Sequence, residues 1–267
     1  MKNFRGTIFA IAVLMLVLSG CQSNAAPTIT PTPTRPVDPV TLRILFIGSS
    51  HVYYSRAAVD LPRVFSMLAD AGGHTVITDH ASEGGALLED HAADPGTLEI
   101  IQSAEWDYVV LQEDMYVAAD EAKREAQMYP AVRILDQWIK DNGAQTILYL
   151  TWVHPGPIRY GEIDNYFAEQ AQLTAGYMEI SEELDALVAP AGIAFENVLK
   201  HDPEIYLWYE GDEAGHASYT GQYLTAAVLY ALIYQESPEG LGFLPSPEDR
   251  ARLMQSIAAE TVLTNPQ

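Results

Sequence analysis

The chain has 267 residues, with 36 Asp or Glu against 14 Lys or Arg, a formal net charge of −22 at pH 7. Such a mean charge repels nucleic acid and anionic membrane surfaces, so neither is expected to be bound electrostatically. The single cysteine excludes an internal disulfide framework.

Lys2 and Arg5 precede an apolar run from Ile8 to Leu18, and Leu18-Ser19-Gly20-Cys21 follows. The run is well short of the ~20 residues needed to span a bilayer, so residues 1–20 read as a signal peptide. Leu-Ser-Gly-Cys resembles a bacterial lipobox. It implies that Cys21 becomes the lipidated first residue of an extracytoplasmic protein anchored to the cell-envelope membrane. Residues 21–40 are rich in Pro and Thr and cannot bury a core, which predicts an extended, semi-rigid tether. Residues 41–267 then suffice for one domain with a substantial core.

Within that domain, β-rich apolar runs at 44–48, 75–78, 108–112, 146–151 and 193–196 predict five strands. Helical patterns cover 59–71, 86–102, 119–141, 165–188, 219–235 and 247–261, with Gly143 placed as a stop after the third. Alternation of this kind favours a parallel sheet with helices on both faces and right-handed crossovers.

The first strand, Arg43-Ile44-Leu45-Phe46-Ile47-Gly48, stops at a glycine and delivers Ser49, Ser50 and His51 just past its end. Ligands bind beyond the carboxyl ends of strands in open α/β sheets, which makes Ser50 a candidate nucleophile. A strand followed by an ordinary polar turn reads the same way. What favours chemistry is the distant segment Glu210-Gly211-Asp212-Glu213-Ala214-Gly215-His216, which offers an imidazole with carboxylates beside it. A serine hydroxyl needs a base to take its proton, and a carboxylate fixes the tautomer of that base.

His74, His80 and His91 lack metal-site spacing and read as scattered side chains. Trp152 and His51 are candidates for the substrate pocket, with core packing the competing role for the tryptophan. No phosphate-binding loop, dinucleotide fingerprint or Gly-x-Ser-x-Gly elbow surrounds Ser50, so no cofactor is expected.

Four blocks in order resemble the SGNH, or GDSL-like, hydrolase superfamily, and within it a bacterial subgroup. They are Gly48-Ser49-Ser50, Ser82-Glu83-Gly84-Gly85, Trp106-Asp107-Tyr108-Val109-Val110-Leu111-Gln112-Glu113, and Asp212-Glu213-Ala214-Gly215-His216 with Ser218, Gly221 and Tyr223-Leu224 behind it. The resemblance covers most of the chain after residue 40. It implies a three-layer α/β/α flavodoxin-like fold with strand order 2-1-3-4-5. It makes Ser50 the nucleophile, His216 the base, and the N–H groups of Ser50 and Gly85 with the Gln112 amide the oxyanion hole. Family spacing of three residues favours Glu213 as the acid, with Asp212 as the alternative. Ser49 stands where the pattern has Asp or Asn, and Gln112 where it has Asn.

The function implied is hydrolysis of carboxylic esters through an acyl-enzyme, with small-molecule or glycan esters as substrates. A carbohydrate O-deacetylase and a lipid acyl hydrolase are alternatives within that chemistry, and a catalytically silent glycan-binding lipoprotein is the alternative outside it.

Overall fold

The computed structural model describes residues 40–54, 59–245 and 247–264. The signal peptide, Cys21 and all of the tether except Val40 lie outside these residues. The elements in chain order are β1 (Leu42–Gly48), α1 (Leu61–Ala71), β2 (Val76–Ser82), α2 (Leu88–Ala93), α3 (Pro95–Gln102), β3 (Tyr108–Leu111), α4 (Met115–Ala118) and α5 (Glu121–Lys123). A π-helical turn (Arg124–Met128) then leads into α6 (Tyr129–Asp141). After these come β4 (Gln145–Tyr149), α7 (Gly156–Arg159), α8 (Ile163–Leu184), β5 (Leu187–Ala189), α9 (Ala191–His201), α10 (Tyr219–Tyr234) and α11 (Glu248–Leu263).

The five strands form one parallel sheet in the order β2-β1-β3-β4-β5, as the resemblance implied. The central strand β1 pairs Gly48 with Ser82 of β2 and Ile47 with Leu111 of β3. Ile44, Leu45, Phe46 and Ile47 are completely buried, because helices cover both faces and a strand flanks each edge. On one side α1 packs against α10, which also carries α9 and α11, while α6 packs against α2, α3 and α8. This is the three-layer α/β/α arrangement. Helix α10 is buried around nearly its whole circumference, from Gly221 to Ala231, so the segment leading into it has a rigid anchor.

Three elements depart from the sequence reading. The fifth strand is Leu187–Ala189, whereas residues 193–196 lie inside α9. A three-residue strand is too short to reveal its period, and α9 buries Ala191, Ala194, Phe195, Val198 and Leu199 densely enough to imitate a strand. The helix expected over 86–102 is broken at Asp94-Pro95. Asp94 caps α3 by accepting from the Gly96 N–H at 3.0 Å, and Pro95 starts the new helix where its missing N–H costs nothing. Likewise the helix expected to run to residue 188 ends at Leu184, because Asp185 turns left-handed at φ 50°.

Candidate active site

Gly48 ends β1 where the backbone meets Gln112 at the end of β3. A Cβ at Gly48 would fall 2.8 Å from the Gln112 Cβ and 2.9 Å from its carbonyl oxygen, so only glycine fits. Beyond it the chain turns, with the N–H groups of Val52 and Tyr53 both donating to the Ser49 carbonyl at 3.0 and 3.3 Å. The turn presents Ser50 at the sheet's carboxyl edge. From behind, His91 Nε2 donates to the Gly48 carbonyl at 3.0 Å while Thr97 Oγ1 lies 3.2 Å from Nδ1, so this imidazole braces the strand end. His74 pairs with Glu236 and His80 with Ser82, each at its own place in the fold.

The other half of the site comes from the segment before α10. The Ser218 side chain caps that helix, accepting from Gly221 N–H at 3.4 Å, and donates to the Leu207 carbonyl at 3.0 Å. An antiparallel bridge between Trp208 and Ala217 closes the base of the loop, and Tyr209 N–H donates to the His216 carbonyl at 3.0 Å. His216 Nε2 thereby lies 2.8 Å from Ser50 Oγ, across 166 positions of sequence. On the other side of the ring, Nδ1 lies 2.6 Å from Asp212 Oδ2, which also accepts from the His216 backbone N–H at 2.8 Å.

An ionised carboxylate only accepts, so Nδ1 carries the proton and Nε2 is left as the acceptor for the serine hydroxyl. Burial works to raise the Asp212 carboxyl, but the hydrogen bonds from His216 and from Ala214 N–H outweigh it and hold the group below the usual carboxylate range. Tyr54 stacks on the imidazole at 3.8 Å between centroids and 13° between planes, and Tyr209 leans on Tyr54. The Tyr54 ring thus covers one face of the imidazole.

Glu213 does not meet His216. Its side chain is 92% exposed and it pairs with Arg159, at 3.9 Å. The carboxylate beside the imidazole belongs to Asp212, four residues before His216 rather than three. Gly211 and Gly215, at φ 71° and 68°, let the turn take that extra residue.

Gln112 also differs from its expected place. It is fully buried, its Oε1 accepts from Ser49 N–H at 2.8 Å and Ser49 Oγ at 3.0 Å, and its Nε2 donates to the Glu113 carbonyl at 2.7 Å. Both backbone partners fix the orientation of the amide, which joins the ends of β1 and β3 and commits one of its two N–H donors to the Glu113 carbonyl. Gly85 lies in the exposed turn after β2 at φ 80°, close to β1 because Glu83 N–H donates to the Gly48 carbonyl. Among the described residues, the N–H groups of Ser50 and Gly85 have no hydrogen-bond partner.

Trp152 is completely buried rather than lining a pocket. It stacks on Phe195 at 4.1 Å and donates from Nε1 to the Gly215 carbonyl at 3.0 Å. His51 lies between Trp152 and His216, with ring centroids 5.4 and 5.3 Å away, and neither of its ring nitrogens has a partner among the described residues. Burial, reinforced by the nearby His216 and only partly offset by Asp212, lowers the His51 pKa to about 3. Its ring is neutral at ordinary pH, so His216 is the imidazole available for proton transfer. The sequence reading passed over Tyr54, His154 and Arg159; the polar and aromatic run Trp152-Val153-His154-Pro155 directly after a buried strand was the available signal.

A cavity of about 550 Å³ lies elsewhere, lined by Gln145 and Leu187 at the first residues of β4 and β5, together with Met178, Leu232 and Val262. It opens at the amino ends of the strands, opposite Ser50.

No protein-family model matches the chain, and no curated protein matches it. Solved structures do. A DUF4886 family protein from Bacteroides uniformis superposes with a TM-score of 0.68 at 15% identity, over 84% of this chain and 95% of that one. A protein from Slackia heliotrinireducens classed with the SGNH hydrolases gives 0.52 at 22% identity, over 71% and 97%. A catalytic mutant of Axe2, an acetylxylan esterase from Geobacillus stearothermophilus, gives 0.53 at 18% identity, over 71% and 92%. The chain carries the fold of the SGNH hydrolases.

Proposed function

We propose that this SGNH-fold chain is a serine hydrolase that cleaves carboxylic esters through an acyl-enzyme. The observation that carries the reading is the relay Ser50 Oγ, His216 Nε2, His216 Nδ1, Asp212 Oδ2, with contacts of 2.8 and 2.6 Å. The fold likeness adds support, since catalytic mutants of Axe2 replace a serine and an aspartate.

In the first half-reaction Ser50 Oγ attacks the ester carbonyl carbon as its proton passes to His216 Nε2, and Asp212 stabilises the resulting imidazolium. The N–H groups of Ser50 and Gly85 receive the charge that develops on the carbonyl oxygen. Collapse breaks the bond to the alcohol oxygen, which takes the proton from His216 and leaves, with Ser50 acylated. Water then attacks the acyl carbon with His216 again as base, and the carboxylic acid departs from a restored serine. Small-molecule or glycan esters are the proposed substrates, as the esterase likeness suggests. Residues 1–20 are proposed as the signal peptide and Cys21 as the lipid-bearing residue, followed by the tether and the hydrolase domain.

The test is kinetic. Ser50→Ala should lower kcat on a short-chain aryl ester by about 10⁴-fold or more in a protein that melts like wild type. Ser49→Ala, which loses a hydroxyl facing Gln112, should affect stability more than kcat. Equal and mild losses of activity from both changes would reject Ser50 as nucleophile.

A further inference from the structure

The segment between β4 and α8 reaches the acid–base loop with three side chains, each donating to a different backbone carbonyl. Arg159 Nη2 donates to Asp212 O at 2.5 Å, His154 Nε2 to Glu213 O at 2.8 Å, and Trp152 Nε1 to Gly215 O at 3.0 Å. The polarity of all three is fixed. Guanidinium and indole groups only donate, and Gly156 N–H donates to His154 Nδ1 at 3.1 Å, which places the ring proton on Nε2.

The segment is itself firmly held. Val153 N–H donates to Gln170 Oε1 at 2.9 Å, Gln170 Nε2 donates to Thr151 O at 3.1 Å, and Arg159 Nε donates to Tyr206 OH at 2.8 Å. Tyr116 stacks on the outer face of His154 at 5.8 Å. The loop it grips is less secure on its own, since Asp212 and Glu213 crowd two carboxylates between glycines at 211 and 215, with a third at Glu210 just before them.

We propose that Arg159, His154 and Trp152 are positioning residues that hold the loop by its carbonyl oxygens, so that the Asp212 carboxylate stays against His216 Nδ1. The proposal rests on Ser50, His216 and Asp212 being the catalytic relay. Nothing in this clamp touches the reacting atoms. Its effect passes through Asp212, and a carboxylate displaced by a fraction of an ångström supports the imidazolium less well.

Arg159→Ala and His154→Ala, in the full chain, should each lower kcat about 10- to 100-fold with KM nearly unchanged. The acid limb of the pH–kcat/KM profile should move to lower pH, because the protonated base loses its partner. The other groups facing His216, namely Ser50, His51 and Tyr54, are untouched by these changes. Arg159→Lys should restore part of the rate, which a lost packing contact would not predict. The proton shared by His216 Nδ1 and Asp212 should give a downfield NMR resonance in wild type that broadens or disappears in Arg159→Ala.

That resonance reads the clamp whether or not the chain hydrolyses esters, so failure of the hydrolase reading and failure of the clamp are separable. Should Arg159→Ala and His154→Ala be poorly folded, Arg159→Lys, which keeps a cation on the same stem, gives the resonance and the pH limb. An unchanged resonance, or wild-type kcat and pH limb in folded variants, overturns the clamp.

Discussion

Asp212 and Glu213 are adjacent carboxylates with different surroundings. Asp212 accepts from both the ring and the backbone N–H of His216, while Glu213 extends into solvent. Asp212→Asn should therefore cost about 10⁴-fold in kcat, since the amide favours the wrong imidazole tautomer, and Glu213→Gln should cost about tenfold or less. The reverse ranking in steady-state kinetics would return the role to Glu213. Family spacing favoured Glu213 over Asp212, whereas the carboxylate against His216 is that of Asp212, because two positive-φ glycines set the length of this turn and one residue is beyond the resolution of a motif. Ser50 and His216 were legible, since each ends or precedes an element whose hydrophobic pattern is plain. The Gln112 amide was not, because its position in the motif says nothing about which way it points. Burial and two backbone partners turn it to the strand ends.

At the scale of elements, β1, β3 and α10 were readable because the first two are buried runs with clear ends and the third has a Ser cap and a long apolar stretch. Strand β5 and helix α9 were exchanged, for burial hides the period of short elements. The junction of β3 and α4 has a measurable consequence. There Glu113 is almost completely buried, one carboxylate oxygen accepts from Asp114 N–H at 2.7 Å, and the other has no partner among the described residues.

Desolvation raises the Glu113 pKa to about 8, against the pull of the Asp114 backbone N–H. Folded Glu113 keeps its proton where the unfolded chain, titrating near 4.5, has lost it. Its contribution to stability is fully present below pH 4.5 and is lost as pH rises toward 8, with a slope of up to about 1.4 kcal/mol per pH unit. Glu113→Gln, which stays neutral, should be stabilised relative to wild type by an amount that grows from pH 5 to pH 8. Thermal melts at both pH values check this, and a pH-independent difference would contradict it.

For the whole molecule, the compact unit Pro39–Gln267 begins where the Pro/Thr-rich segment ends. Among the described residues no helix is long and apolar enough to cross a membrane. A net charge of −22 disfavours attraction to an anionic bilayer, and the attachment proposed above is through Cys21. A single acyl chain binds membranes only marginally, and stable anchoring takes more than one. Cys21→Ala should leave an unprocessed precursor or a protein that no longer partitions into detergent, while wild type partitions there. Wild-type protein found wholly aqueous and unlipidated in its native host would contradict the anchor. The layered architecture and strand order were legible from alternation and from the four ordered blocks. The support behind the site was not, because Trp152, His154 and Arg159 act on a loop about 60 residues away and only the folded chain brings them to it.

Whether Ser50 is a nucleophile activated by His216 is decided by treating the protein with a fluorophosphonate probe and mapping the adduct by mass spectrometry. One phosphonylated peptide is expected, carrying the adduct on Ser50 and absent in both Ser50→Ala and His216→Ala. Failure of the folded wild type to react, or an adduct on another serine that survives Ser50→Ala, would contradict that role.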